Sequence, residues 1–212
     1  MKLKLILYIF AISSFCFSPK AKENFDCRKL ASLIEKKIKL PNKLLSSISL
    51  TETGYSKNGT FAPWPWTLNV NGKSEYFDTK KEMASHLHKK LSENITNIDI
   101  GCMQINYIYH SKNFRNIDDM INPQLNVEYA GKFLIKLFKK YKSWNKAISY
   151  YHSSDPKRMR KYLEKVKRNW DLERQRRNFT NQKKEFSNTN NLNRKRILFF
   201  RKKLDEEKPF IM

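Results

Sequence analysis

The sequence predicts a mainly α-helical domain with a small β-hairpin insertion and a basic C-terminal tail. Three observations carry this. Apolar residues recur at i, i+3, i+4 and i+7 in several separated segments. The clearest strand signal is a pair of short runs flanking Asn71-Gly72. Positive charge gathers at the end: residues 157–212 hold 19 Lys/Arg against 7 Asp/Glu. A chain of 212 residues with net charge +23 suits one core and little more.

The elements follow in order. Residues 1–21 read as a secretory signal: Lys2 and Lys4 form a basic start, and residues 5–17 form an apolar stretch too short for a membrane span. The domain is expected over 22–155. Residues 28–40 form a helix with Leu30, Leu33, Ile34 and Ile38 on one face. Residues 41–54 form a second, with Pro41 in its first turn and Gly54 past its end. Phe61-Ala62-Pro63-Trp64-Pro65-Trp66 excludes regular helix. Residues 67–70 and 73–77 make a hairpin around a type I′ Asn71-Gly72 turn.

Thr79 and Glu82 have capping-box spacing and open a helix to about Leu91. Ile98 to Asn106 is apolar and interrupted by Gly101. Asn122-Pro123 opens a long helix whose stripe is Val127, Ala130, Leu134, Leu137, Phe138 and Tyr141. Trp144, Ala147, Ile148 and Tyr151 mark another. Residues 156–176 read as a basic helix. Beyond about 178 polar and charged residues dominate and a mobile tail is expected, apart from Ile197-Leu198-Phe199-Phe200 between two basic triplets.

Glu52 is the most informative residue. It follows Ile48 by four positions on the stripe of Leu44, Leu45 and Ile48, at the C-terminal end of its helix. Burial and the helix dipole both disfavour its negative charge there and raise its pKa, as a general acid working near neutral pH requires. A frayed last turn with Glu52 in water is the competing reading.

With the signal removed, two cysteines remain, Cys27 and Cys102. In an exported protein they suggest one disulfide between the first mature helix and the middle of the domain. The histidines (His86, His88, His110, His152) show no metal-ligand spacing, so neither metal nor cofactor is expected. The positive charge suits anionic polymers or a membrane surface, with nucleic acid a less expected partner.

Glu52-Thr53-Gly54, Gly101-Cys102-Met103-Gln104-Ile105-Asn106, Asn122-Pro123 with Asn126-Val127, and Ala147 to Ser153 occur in an order that resembles the SLT-type lytic transglycosylases of bacterial cell walls. The family pattern is Glu-Ser-Gly, Gly-Leu-Met-Gln-Ile, Asn-Pro with a following Asn-Ile pair, then Ala-Tyr-Asn. Thr53, Cys102 and His152 depart from it. The Ala62 to Trp66 segment resembles an alphaproteobacterial branch.

The resemblance implies a goose-lysozyme-like helical fold and cleavage of peptidoglycan in the periplasm or cell envelope, in general wall turnover or beside a secretion or other envelope-spanning complex. It implies that Glu52 protonates the leaving oxygen and then takes a proton from the muramyl C6 hydroxyl, closing a 1,6-anhydro ring. Thr53, Gln104, Asn106, Tyr151 and His152 become candidate substrate contacts, with Tyr151 placed to orient Glu52. Trp64 and Trp66, with Tyr76, are expected to line the glycan cleft or, for the tryptophans, to plug the hairpin core. Two other readings stay open: a hydrolase using Glu75, Asp78 or Asp99 as a second carboxylate, and a non-catalytic wall-binding factor.

Overall fold

The computed structural model describes residues 25–206, apart from the side chains at 177–187 and 199–206. The expected signal segment lies outside the described residues. Helix α1 (Cys27–Ile38) starts at Asp26, whose carboxylate accepts from the Arg28 and Lys29 amides. Cys27, Ala31 and Ile34 set its buried face. Leu33, expected on that face, falls off it and is exposed.

Helix α2 (Leu44–Thr53) is the centre of the molecule. Every residue from Leu44 to Thr51 is buried. A serine- and threonine-rich helix tolerates this because its hydroxyls bond backward: Ser47 to Leu44 O, Thr51 to Ser47 O and Thr53 to Ser49 O. Its N-terminus has no cap of its own. Glu35 of α1 supplies one, accepting from the Lys43 and Ser46 amides at 3.0 Å each. Pro41 lies in a turn ahead of the helix, not in its first turn. Gly54 does follow the helix, for a steric reason: a Cβ there would meet the Phe61 ring at 2.5 Å and Leu50 O at 2.6 Å.

Two hairpins follow where one is expected. Strands β1 (Gly54–Lys57) and β2 (Thr60–Pro63) pair through Asn58-Gly59, both at positive φ. Strands β3 (Thr67–Val70) and β4 (Lys73–Tyr76) pair through Asn71-Gly72 in the same way. With β5 (Ile98–Ile100) and β6 (Ile105–Asn106) the second hairpin forms an antiparallel sheet in the order β4-β3-β5-β6. Helix α3 (Lys80–Ser92) carries the Thr79–Glu82 capping box and buries Met83 and Leu87.

Short helices α4 (Tyr107–His110) and α5 (Ile117–Ile121) lead to α6 (Pro123–Tyr141), capped by Asn122, and α7 (Trp144–His152), capped by Ser143. The core joins α1, α2, α3, α6 and the sheet, and the Cys27–Cys102 disulfide crosses it with the Cα atoms 5.7 Å apart.

The basic segment after residue 155 becomes α8 (Pro156–Glu206), 51 residues long. It does not stand apart from the domain. Tyr162 and Val166 enter the core, Trp170 donates to Asn42 O, and Glu173 is buried in an ion pair with Arg28 at 2.9 Å. Nor does helical structure stop near 178: α8 runs on through the segment expected as a mobile tail, with residues 188–198 exposed.

Candidate active site

Glu52 ends α2 at the wall of a cleft of about 400 Å³, whose lining includes Asn69, Asp99, Gln104, Asn106, Tyr151 and His152. Most of these side chains are polar. The Glu52 carboxyl is raised to about 7, mainly because burial penalises its charge. The nearby Asp99 carboxylate raises it further, while a hydrogen bond from Tyr162 and the charge of Lys165 pull it down. Glu52 is thus packed into the domain with one edge at the cleft, not frayed into water, and Tyr162 Oη donates to its Oε1 at 2.5 Å.

That partner is not the expected one. Tyr151 Oη donates to Met103 O at 2.8 Å instead. Sequence reading passes over Tyr162 because it lies in a segment dominated by charge. Its signal is the stripe Met159, Tyr162, Leu163, Val166 and Trp170, which has helical spacing. Desolvation raises both phenols, half-buried Tyr151 and buried Tyr162, well above their ordinary pKa, so both remain donors. His152 stacks face to face on Tyr162, ring centroids 4.3 Å apart. Burial, then Arg158 and Lys165, keeps its imidazole below the usual range.

The turn from Gly101 to Gln104 is held from several sides. Ser49 on α2 donates to Cys102 O, and the Thr53 hydroxyl shares its proton between Ser49 O and, at 3.3 Å, the same Cys102 O. Asn126, fully buried on α6, accepts from the Met103 amide and donates to Ile100 O and Met120 O. Tyr151 holds it from α7, and the disulfide ties Cys102 to α1. Gly101 sits at φ +74° against the Asn126 side chain. Gln104 adopts a left-handed φ of 46°, a costly conformation for a non-glycine residue. Its amide nitrogen donates to Gly101 O and Thr67 O, which fixes the side chain beside the cleft.

The expected site residues thus divide. Glu52, Gln104, Asn106, Tyr151 and His152 meet in one cleft. Thr53 is buried and serves the turn backbone. Trp66 is buried against Phe25 and takes the core-plug role. Trp64 is half-buried, donates to Phe77 O at 2.7 Å and lies under Lys57; it is not among the cleft-lining residues. Tyr76 stacks on Tyr55 outside the cleft.

Of the three second carboxylates considered, Glu75 pairs with His86 and Asp78 with Lys57. Asp99 alone of the three lines the cleft. Burial raises Asp99, and Asn106 Nδ2 donates to it at 2.8 Å. Among the described residues, no cluster of His, Cys, Asp and Glu suits a metal ion, and no helix is long and apolar enough to cross a membrane.

A helical domain with a small sheet, an acid at the end of a buried helix and a polar cleft beside it defines a lysozyme-like architecture. The family model described as Transglycosylase SLT domain matches residues 34–173, more than half of the chain, and the chain belongs to that family. The match takes in the first part of α8 with Tyr162. Comparison with curated proteins and with solved structures gives no match. Family membership supports lytic transglycosylase activity on peptidoglycan.

Proposed function

We propose that the protein cleaves the β-1,4 bond between N-acetylmuramic acid and N-acetylglucosamine in peptidoglycan, with Glu52 as the general acid and base and 1,6-anhydro-muramyl ends as products. The observation that carries this reading is the Glu52 carboxyl, protonated up to about pH 7, at the wall of a polar cleft. Glu52 gives its proton to the glycosidic oxygen as the bond to the muramyl C1 breaks. The resulting carboxylate takes the proton of the C6 hydroxyl as O6 bonds to C1. Glu52 is thereby reprotonated, and no water is consumed.

The nucleophile belongs to the substrate, so one protein carboxyl serves both steps. Tyr162 orients it, and Gln104, Asn106 and His152 are the proposed sugar contacts. The proposed location is the periplasm or cell envelope, with the segment at 1–21 serving as a cleaved export signal.

Asp99 supports a second reading. Its carboxyl shares the cleft with Glu52, and a second carboxylate that activates water would make the enzyme a hydrolase. Mass spectrometry of the soluble products from purified peptidoglycan separates the two. Anhydro-muropeptides, each one water lighter than a hydrolysed product, made by the native protein and reduced at least about 100-fold in Glu52→Gln, are the expected result. Reducing-end products would establish the hydrolase, and undiminished turnover by Glu52→Gln would overturn both readings.

A further inference from the structure

A second hollow of about 340 Å³ opens beside Glu52 on the α8 side and shares Glu52, His152 and Arg158 with the main cleft. Arg158, Lys161 and Lys165 line it, spaced i, i+3 and i+7 on one face of α8. We propose that these three cations form a subsite for a carboxylate of the stem peptide carried by the glycan. The proposal rests on the peptidoglycan reading above.

The charges there run against the chemistry of the neighbouring acid. A cation beside a carboxyl that must stay protonated favours its ionised form, and Lys165 acts on Glu52 in that direction. Lys165 also serves the fold. Its ammonium donates to Thr51 O at 3.0 Å, in the last turn of α2, where positive charge is favourable. Arg158 and Lys161 have no such structural role. Among the described residues neither side chain has an ion pair or hydrogen bond, and both are exposed to the hollow. The Asp155 carboxylate beside them is turned to the Arg158 amide as a helix cap. Glu52 is the one acid that lines the hollow, and Tyr162 and His152, stacked on one another, line it as well.

The occupant follows from the substrate. Stem peptides hang from the muramyl residue, next to the bond that breaks, and carry free carboxylates. Arginine and lysine bind such groups through charge-assisted hydrogen bonds. The hollow's volume lies in the range of ligand pockets, about 300–1,000 Å³, and is far larger than one carboxylate group fills. A peptide segment fits that space better than the small lactyl group of a bare muramyl sugar.

The test is calorimetric titration of the full Glu52→Gln protein, which holds substrate uncut. Three probes are used: a disaccharide bearing its stem peptide, the same compound with its carboxylates amidated, and the stemless disaccharide with a free lactyl carboxylate. The proposal expects the acid form to bind at least tenfold more tightly than the amidated form, with a steep loss in salt. Adding Arg158→Gln and Lys161→Gln should bring the acid form down to the level of the amidated one. Equal binding of acid and amidated forms would overturn it, as would an equal loss for both on substitution. Equally tight binding of the stemless sugar would also overturn it, since the charge would then read the lactyl group. The function reading fails separately, if native protein leaves peptidoglycan uncut.

Discussion

Tyr162 Oη donates a 2.5 Å hydrogen bond to Glu52 Oε1, joining the end of α2 to α8 across 110 positions of sequence. The bond favours the ionised carboxylate and so opposes the burial that raises Glu52. Tyr162→Phe removes that opposition, and the Glu52 pKa rises further. In the proposed mechanism only the protonated acid opens the glycosidic bond, so the alkaline limb of kcat/KM is expected to move to higher pH. The carboxyl also loses its orienting partner, which lowers the plateau rate by up to about 100-fold. An unchanged limb would mean that the tyrosine does not act on the reacting carboxyl.

Asp99 works in the other direction. Its negative charge raises Glu52 through space. Asp99→Asn removes the charge while keeping a similar shape, so the Glu52 pKa falls and the alkaline limb moves to lower pH. A pH–rate profile of each variant checks the pair of opposite shifts. Loss of activity at every pH in Asp99→Asn would instead give Asp99 a direct part in the chemistry, as the hydrolase reading requires.

The disulfide closes a loop of 75 positions. In the chain-entropy model, a loop of that length contributes about 4 kcal/mol. For a domain of this size each kcal/mol is worth about 2–4 °C, so the Cys27→Ser, Cys102→Ser double variant is expected to melt roughly 10 °C lower. Cys102 also belongs to the turn that carries Gln104, so the effect on KM should exceed the effect of an equal loss of stability elsewhere. Thermal unfolding followed by circular dichroism, with and without reductant, measures the first; an unchanged melting temperature would show that the bridge adds no net stability.

How much of this is legible depends on whether the signal is local. The Asn71-Gly72 hairpin, the Thr79–Glu82 capping box and the Asn122-Pro123 helix start are written in adjacent residues, and each stands where the sequence puts it. Asn58-Gly59 carries the same turn signal but escapes notice because Gly54 and Pro63 bound very short strands. Glu52 is legible because its spacing from Ile48 places it on a buried stripe. Its partner is not: nothing near residue 52 points to residue 162, and ten lysines and arginines between 157 and 177 hide the apolar stripe that carries Tyr162 inward. Trp66 shows the opposite difficulty, since an aromatic next to prolines reads alike as a cleft wall or a core plug until the packing against Phe25 is seen.

The proposed acid should also weaken the fold as pH rises toward neutrality. Glu52 is raised from an ordinary value of 4.5 to about 7. Below pH 4.5 folded and unfolded chains are both protonated there, and the group does not affect stability. Between those values the unfolded chain ionises while the folded one holds its proton, so stability falls as pH rises and levels off above about 7. At 1.36 kcal/mol per unit the whole loss is about 3 kcal/mol. Glu52→Gln has no such titration and still offers Tyr162 an acceptor oxygen. That variant should therefore match the native protein near pH 4.5 and exceed it by up to about 3 kcal/mol at about pH 8. Other raised carboxyls, such as Glu35, are common to both proteins and largely cancel in the difference. Urea unfolding of the two proteins at several pH values gives the comparison directly. A difference that stays constant with pH would mean that Glu52 is ionised and solvated in the folded protein, and no proton would then be held ready for the glycosidic oxygen.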